Sequence, residues 1–169
     1  SPLRDGGYDV SDYKNVLPEF GTLADFTDFV AAAHGRGMRV IVDVVMNHTS
    51  DQHPWFRDAR SSRRSARRDW YVWRDGTPDN PPNNWRAAFT RGPAWTWDAD
   101  TSQWYLHLFL PEQPDLNWEN PEVVAAMHAT LRFWLDKGVD GFRMDVVHLI
   151  GKDTNRDDPL DWVEHGLGH

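Results

Sequence analysis

An arginine and an aspartate interrupt an apolar run near the end of the chain. Residues 139–148, "VDGFRMDVVH", resemble a buried strand except at Arg143 and Asp145. Residues two apart in a strand share a face, so these two side chains should lie together while Phe142 and Met144 face the other way. A buried carboxylate beside an arginine stays ionised and can act as a nucleophile or stabilise an oxocarbenium ion. A buried ion pair that ties the sheet together is the alternative interpretation.

A second apolar strand also ends in polar side chains. The segment "VDVVMNH" places Asp43 inside the strand, and Asn47 and His48 follow where the C-terminal end of the strand should lie. In parallel α/β folds, ligands bind at this rim of the sheet. Two neighbouring strands that deliver polar groups to one rim favour a functional site over a structural ion pair.

The strand that carries Asp43 follows a predicted helix. Residues 22–35 carry apolar side chains at helical intervals, with Thr22 as a candidate N-cap and Gly35 or Gly37 near the end. Residues 38–45 are almost entirely apolar and β-branched, which is typical of a strand buried on both faces of a parallel sheet.

The strand that carries Arg143 and Asp145 also follows a predicted helix. Residues 120–137 predict a helix with Asn120 as N-cap, Pro121 at its first position and Gly138 ending it. The strand at 139–147 comes next. Two helix–glycine–strand units in series predict a parallel α/β architecture.

The region between the two units, residues 49–118, has little sustained periodicity and holds most of the Trp and Pro. We interpret it as a small irregular subdomain on the rim of the sheet. Residues 60–69, "RSSRRSARRD", concentrate five arginines there. A solvated, mobile face and a binding site for an acidic partner are the two interpretations of that segment.

Composition excludes several classes of protein. The 169 residues carry a net charge of −8, which gives no general attraction to nucleic acid or to an anionic membrane. No apolar stretch approaches the roughly 20 residues of a membrane span, so a soluble protein is expected. The absence of Cys excludes disulfides and favours a reducing compartment such as the cytoplasm. The ten Trp suit core packing first and sugar stacking second.

Several motifs are similar to those of one enzyme family. "DVVMNH" and "GFRMDVVH" resemble the first and second conserved regions of the alpha-amylase superfamily of glycoside hydrolases, and "QPDLNW" at 113–118 resembles the fifth. The Gln-Pro-Asp opening is typical of the oligo-1,6-glucosidase and alpha-glucosidase branch. "SPLRDGGYDVSDY" at the start and "PPNNW" at 81–85 also look like that branch.

The resemblance implies a (β/α)8 TIM barrel of which the chain holds part. Residues 1–48 would form the loop after the second strand, the second helix and the third strand. Residues 49–118 would form the inserted domain B, and residues 119–169 the third helix, the fourth strand and the following loop. The first strand and the fifth to eighth strands would be absent.

The resemblance also implies roles for individual residues. Asp145 resembles the catalytic nucleophile and Arg143 its partner at the glucose subsite where cleavage occurs. The remaining positions would bind substrate. His48 resembles a histidine that donates hydrogen bonds to glucose hydroxyls, and Asp43 resembles a carboxylate that supports the site. Tyr8 resembles an aromatic ring that stacks under the glucose. Asp5 resembles an aspartate that binds the non-reducing end of the substrate. Val146 resembles a determinant of linkage, and His148 either lines the neighbouring subsite or opens the next loop through a hydrogen bond.

Retaining glycosidases need a second carboxyl group as general acid. In the family that Glu follows the fifth strand, so it would lie downstream of His169, and the chain alone is expected to be inactive. Glu164, in "DWVEHG", does not match its context, and the final "EHGLGH" fits no family pattern. No cofactor is expected. Asn47 matches a calcium-ligating position of many amylases, but this branch generally lacks that site, and another calcium loop would precede Ser1.

The expected function is therefore that of an exo-acting retaining alpha-glucosidase on short alpha-linked gluco-oligosaccharides, with no nucleic-acid or membrane partner. Trehalose synthase, which isomerises maltose, is the nearest alternative, and "PPNNW" with "QPDLNW" favours the glucosidase. A non-catalytic scaffold domain, as in heavy-chain subunits of amino-acid transporters, is the alternative from another class. A scaffold has no reason to retain Asp145 and Arg143, and both are present.

Overall fold

The computed structural model describes residues 1–155 and 157. Its α-helices are α1 (Leu23–His34), α2 (Pro54–Ser61) and α3 (Pro121–Asp136). Its strands are β1 (Ile41–Val45), β2 (Trp73–Arg74), β3 (Trp95–Asp98), β4 (Gln103–Leu106) and β5 (Gly141–Asp145). Short 3-10 helices lie at Pro18–Phe20, Arg68–Trp70 and Val147–Leu149. Within the described ranges no helix is long and apolar enough to cross a membrane.

The two predicted polar strands are neighbours. β1 pairs with β5 in parallel, with Asp43 opposite Arg143 and Val45 opposite Asp145. Parallel neighbours present their C-terminal ends on the same edge. This register confirms the prediction that both strands deliver polar side chains to one rim.

The helices before these strands begin at the predicted caps. Thr22 and Asp25 form a reciprocal capping box at the start of α1. The side chain of Asn120 accepts from the backbone N–H of Glu122 at the start of α3, and Pro121 is the first helical residue. After α3, Gly138 turns the chain with a φ of +91°. Both strands are shorter than predicted: β1 begins at Ile41 and β5 at Gly141, and β5 ends at Asp145 because Val146 adopts a left-handed conformation.

The prediction that the strand at residues 38–45, which contains β1, is buried on both faces was wrong. One face of the sheet is buried, with Val44, Phe142 and Met144 packing into the main apolar cluster alongside Met127 of α3. The opposite face is open, and Ile41 is 65% exposed. The described sheet has only two strands here, and that face is uncovered at Ile41, whereas Val45 at its other end is 5% exposed.

The region between the two units is more regular than predicted. It contains α2 and a three-stranded antiparallel sheet in the order β2-β4-β3. The strands are two to four residues long, too short for a periodicity to stand out in the sequence. Buried Trp side chains pack through this region, as their composition suggested: Trp70, Trp73, Trp95 and Trp104.

The arginine-rich segment is anchored within the chain. Arg60 and Arg67 donate to Asp98 and Asp58 at 2.9 and 2.8 Å, and Arg63 pairs with Asp75. Arg68 is buried, with its guanidinium 3.3 Å from the centroid of the Trp73 ring. Arg60, Arg63 and Arg67 remain partly exposed, in agreement with a solvated face, whereas Arg68 lies in the core; mobility of the segment stays a prediction. Binding of an acidic partner stays a prediction.

Candidate active site

Arg143 holds the two carboxylates that the strands bring to the rim. Its Nη1 donates to Asp43 Oδ2 at 2.6 Å, and its Nη2 lies 3.0 Å from Asp145 Oδ1. The hydrogen bond to Asp43, followed by the charge of that carboxylate, raises the pKa of Arg143. The side chain of Asp145 is 14% exposed and that of Arg143 is 59% exposed. The shared face of Arg143 and Asp145 is therefore confirmed, whereas full burial of the pair is not, because one side of the sheet is open.

Tyr8 joins this group from the N-terminal loop. Its hydroxyl donates to Asp43 Oδ2 at 2.9 Å and accepts from Arg143 Nη1 at 3.3 Å. The hydrogen bond to Asp43 is the main cause that raises the pKa of Tyr8. Its ring is 36% exposed. Tyr8 thus presents an aromatic surface at the rim while its hydroxyl is tied to the charged pair, a geometry that suits stacking on a sugar.

His48 lies behind Tyr8. It is 2% exposed, and its Nε2 is 3.0 Å from the backbone carbonyl of Tyr8. The ring of Phe109 packs against it, with centroids 5.2 Å apart. Burial is the main cause that lowers the pKa of His48. The structure gives the imidazole a backbone partner, and donation from His48 to glucose hydroxyls stays a prediction.

Gln113 connects Asp5 to the same loop. Its Nε2 donates to Asp5 Oδ2 at 2.9 Å and to the carbonyl of Tyr8 at 3.2 Å, and its Oε1 accepts from the backbone N–H of Leu110 at 3.1 Å. Gln113 is fully buried. The carboxylate of Asp5 is therefore fixed close to Tyr8, and its binding of the non-reducing end stays a prediction.

A buried lysine, Lys152, contacts Asn47, the residue before His48. Lys152 Nζ donates to Asn47 Oδ1 at 2.8 Å and contacts the buried carboxylate of Asp115. Burial lowers the pKa of Lys152 from its ordinary value of 10.5, and the Asp115 carboxylate opposes that change. The oxygens of Asn47 and Asp115 already bind an ammonium, so they do not fit a calcium ion as ligands. No cluster of metal-binding side chains occurs within residues 1–155 and 157.

The last two predicted residues lie beyond β5. Val146 follows Asp145 with a φ of +41°, and its side chain packs against the aliphatic and aromatic cluster around Leu106 and Leu149. His148 is exposed and lines a cavity of about 250 Å³ together with Trp85. Within the part of the chain that the structure describes, His148 makes no hydrogen bond or ion pair with Arg143, Asp43 or Asp145, so its role stays a prediction. Glu164 and the final "EHGLGH" lie outside the described residues.

Sequence reasoning missed three contributors to the site. Lys152 and Phe109 lie in no quoted motif, and Gln113 was noted only as a motif letter. A signal for Gln113 existed, because a Gln before Pro-Asp in a turn-rich region has no packing role of its own. Nothing in the sequence around Lys152 indicated that it folds back onto Asn47, 105 positions away.

Residues 1–164 match the family described as alpha amylase, catalytic domain. The chain is similar to several curated proteins. It is 54% identical to trehalose-6-phosphate hydrolase of Escherichia coli over 95% of the chain and 29% of that protein. It is 51% identical to oligo-1,6-glucosidase of Parageobacillus thermoglucosidasius over 90% of the chain and 27% of that protein. The chain thus spans less than a third of the length of these relatives.

Solved structures give the same result. Trehalulose synthase from Pseudomonas mesoacidophila superposes with a TM-score of 0.91 at 47% identity, covering 97% of the chain and 30% of that structure. Trehalose-6-phosphate hydrolase of Bacillus licheniformis superposes with a TM-score of 0.92 at 44% identity, covering 98% of the chain and 30% of that structure. These neighbours differ in the reactions that their names state.

Proposed function

Because the chain belongs to the alpha-amylase catalytic-domain family, we propose that it is part of a retaining, exo-acting alpha-glucosidase. In this proposal β1 and β5 are the third and fourth strands of a (β/α)8 barrel. Residues 49–118 are the inserted domain B, and residues 1–48 and 119–169 are barrel segments. The substrates are short alpha-linked gluco-oligosaccharides, as the name oligo-1,6-glucosidase of a relative suggests. The absence of Cys favours a reducing compartment such as the cytoplasm.

One observation carries the proposal. Arg143, in the middle of β5, bridges Asp43 of the adjacent parallel strand and Asp145, which is the last residue of β5 at its C-terminal end. A catalytic site in barrel enzymes is built on that end of the strands. A pair needed only for sheet stability could lie at any depth along the strands, whereas this one ends at the rim, beside the aromatic ring of Tyr8.

The reaction assigned to these residues is a double displacement. Asp145 attacks the anomeric carbon, the glycosidic bond breaks, and a glucosyl ester forms on the carboxylate. A general acid protonates the leaving oxygen and then, as a base, activates the water that cleaves the ester. Asp43 is held by both Arg143 and Tyr8, so we assign it a supporting role. The acid would come from the part of the enzyme that the chain does not span.

Arg143 would serve this reaction electrostatically. Its second nitrogen binds one oxygen of Asp145 and leaves the other available for attack. The first nitrogen is held by Asp43, which limits the freedom of the guanidinium. Tyr8 would provide the surface under the glucose ring, and Asp5, fixed by Gln113, would bind hydroxyls at the non-reducing end. His48, Val146 and His148 complete the proposed substrate-binding set.

A second candidate is an isomerase that retains the same first step. The structural similarity to trehalulose synthase favours this candidate. Both functions need a glucosyl ester on Asp145 and differ only in whether water or a sugar hydroxyl accepts the glucosyl group. Product analysis distinguishes them, because hydrolysis releases glucose and isomerisation returns a disaccharide. "PPNNW" and "QPDLNW" favour the glucosidase over trehalose synthase, as the sequence indicated.

The first prediction tests the nucleophile in the full-length enzyme that contains this chain. Replacing Asp145 by Asn removes the covalent route while conserving shape, so kcat should fall by several orders of magnitude. Steady-state hydrolysis of a nitrophenyl alpha-glucoside measures it. Asp28→Asn, at an exposed position of α1, is the matched control and should retain ordinary turnover. Near-normal turnover by a folded Asp145→Asn enzyme would remove Asp145 from this role.

A further inference from the structure

The orientation of the Asn47 amide is fixed by Lys152. A lysine ammonium has three donors and no acceptor. Lys152 Nζ is 2.8 Å from the atom of Asn47 assigned as Oδ1 and also binds the Asp115 carboxylate, so the oxygen of the amide must face it. Asn47 and Asp115 are fully buried and the Lys152 side chain is 8% exposed, so the Asn47 amide has no contact with bulk water. The nitrogen of the amide therefore points the other way.

That nitrogen faces the imidazole of His48. Asn47 Nδ2 lies 3.2 Å from His48 Nδ1. An amide nitrogen only donates, so Nδ1 must be the acceptor and carries no proton. In neutral histidine the proton then sits on Nε2. The position of one lysine proton donor thus decides the tautomer of a histidine two hydrogen bonds away.

The contacts on the other side of the ring agree with this assignment. His48 Nε2 lies 3.0 Å from the carbonyl oxygen of Tyr8, which can only accept. Gln113 Nε2 also lies 3.1 Å from His48 Nε2, and because Nε2 carries the proton in the tautomer that Asn47 requires, the two Gln113 hydrogens go to Asp5 and to the same carbonyl. The two nitrogens are therefore two donors that converge on one oxygen. A His48 with its proton on Nδ1 would instead place two N–H donors face to face at Asn47, and the lone pair of a bare Nε2 against the Tyr8 carbonyl oxygen.

We propose that Lys152 is a positioning residue that acts through Asn47 to fix His48 as the neutral Nε2–H tautomer, which in turn holds the backbone of Tyr8. The groups that face His48 are the Tyr8 carbonyl, the amides of Asn47 and Gln113, and the ring of Phe109. The charges that act on it are those of Asp115, Lys152 and Asp145. The relay connects the loop after β5 to the loop that carries Asp5 and Tyr8.

The catalytic consequence of this relay rests on the proposed function. Tyr8 binds Asp43 and Arg143 through its hydroxyl, so a shift of its backbone would move the group that orients Asp145. The tautomer itself depends only on the contacts of the chain. The two claims can therefore fail separately, since the tautomer is read by NMR and the catalytic role of Asp145 by turnover.

The most direct test replaces Asn47 by Asp in the full-length enzyme with 15N-labelled histidine. The carboxylate introduced by Asn47→Asp would present an oxygen both to Lys152 and to His48 Nδ1, so Nδ1 must become a donor. His48 Nε2 would still donate to the Tyr8 carbonyl. We expect His48 to become an imidazolium with an apparent pKa raised by about one unit or more, the value of one charge-assisted hydrogen bond. In the unsubstituted enzyme the 15N shifts should show a protonated Nε2 and a bare Nδ1. A protonated Nδ1 there would overturn the proposal.

A second variant tests Lys152 itself. Lys152→Met alone would leave the Asp115 carboxylate buried and unpaired, which threatens folding. The double variant Lys152→Met with Asp115→Asn removes both charges. Because Asp115 acts on His48 more strongly than Lys152 does, the loss of charge alone would lower the pKa of His48. Release of the Asn47 amide would instead raise it, since the amide oxygen could then turn to accept from Nδ1.

The expected result is an upward shift of the His48 titration in the double variant, with a matching rise in KM in the active enzyme. Asn120→Ala is the control, because it removes the cap of α3 and so lowers the stability of the fold without touching the relay. The His48 titration should not move in this control. A downward shift or no shift in the double variant would show that Lys152 does not set the amide, and would overturn the proposal.

Discussion

At the level of single residues, the candidate site depends on Arg143 more than on any other side chain. Three groups meet at its guanidinium, namely Asp43, Asp145 and the hydroxyl of Tyr8. A planar guanidinium can hold two carboxylates in fixed directions, which an ammonium cannot do. Asp43 contributes by holding one nitrogen of the fork. Arg143 thus orients the Asp145 carboxylate, and Asp43 in turn holds Arg143 in place.

Val146 provides a prediction on specificity. It directly follows Asp145, and its side chain packs against the cluster that includes Leu106. One methyl-sized contact is worth about 1–3 kcal/mol of discrimination between substrates. We expect the full-length enzyme to cleave isomaltose, and Val146→Thr to shift the isomaltose-to-maltose ratio of kcat/KM toward maltose. An unchanged or oppositely shifted ratio would place linkage choice in other loops.

Residue pairs that are close in sequence were predictable, and distant ones were not. The period of a strand is two, so the common face of Arg143 and Asp145 followed from their spacing alone. The contacts of Lys152 with Asn47, and of Gln113 with Asp5, join residues more than 100 positions apart. No periodicity encodes such a contact. The predicted burial of Arg143 failed for a similar reason, because it depends on what covers the open face of the sheet.

At the level of elements, Asp140 ties the strand pair to the end of α1. Its carboxylate accepts from the backbone N–H of Val40 at 2.8 Å, from Arg39 at 2.8 Å, and contacts His34 Nε2 at 2.7 Å. These contacts, the Val40 bond first, hold the pKa of Asp140 well below its usual range. Asp140 thus fixes the start of β5 against the start of β1, which sets the height at which Arg143 meets Asp43.

This depressed pKa gives a prediction on stability against pH. A carboxyl group whose folded pKa is lowered stabilises the fold above its unfolded pKa of about 3.9, and loses that contribution as pH falls toward the folded value. Asp140→Asn should therefore destabilise the full-length enzyme at neutral pH, and the difference from the unsubstituted enzyme should shrink below about pH 4. Chemical denaturation at several pH values measures it. A difference that is independent of pH would show that the charge of Asp140 is not the cause.

Elements with caps were predicted well, and elements without them were not. Thr22 and Asn120 marked the starts of α1 and α3, because a side-chain acceptor at that position satisfies a free backbone N–H. Gly138 marked the turn into β5. The short strands β2, β3 and β4 carry no comparable signal, since pairing over two to four residues is decided by their neighbours in the sheet.

At the level of the whole molecule, the open face of the sheet indicates where the rest of the site belongs. Ile41, Asp43 and Arg143 lie on that face, and the first and last of these are more than half exposed. The chain spans 29% of the trehalose-6-phosphate hydrolase that it matches. In the proposed barrel, further strands would cover this face and supply the second carboxyl group.

The 169-residue chain by itself should therefore release no nitrophenol from a nitrophenyl alpha-glucoside above the rate in buffer. The physical reason is that a lone carboxylate at Asp145 has no acid to protonate the leaving group. Adding Asp145→Asn to the same assay is the control. Reproducible activity that disappears in this variant would mean that the chain contains its own acid, in which case Glu164 becomes the first residue to replace.

The central claim is that Asp145 forms the covalent bond to glucose, and trapping the intermediate tests it most directly. The full-length enzyme is incubated with a slowly turned-over fluorinated alpha-glucosyl fluoride, digested, and analysed by peptide mass spectrometry. The account predicts one added fluoroglucosyl group on the peptide that contains Asp145, assigned to that carboxylate by fragmentation and lost in Asp145→Asn. A fluoroglucosyl group on Asp43 or on any other carboxylate would contradict it.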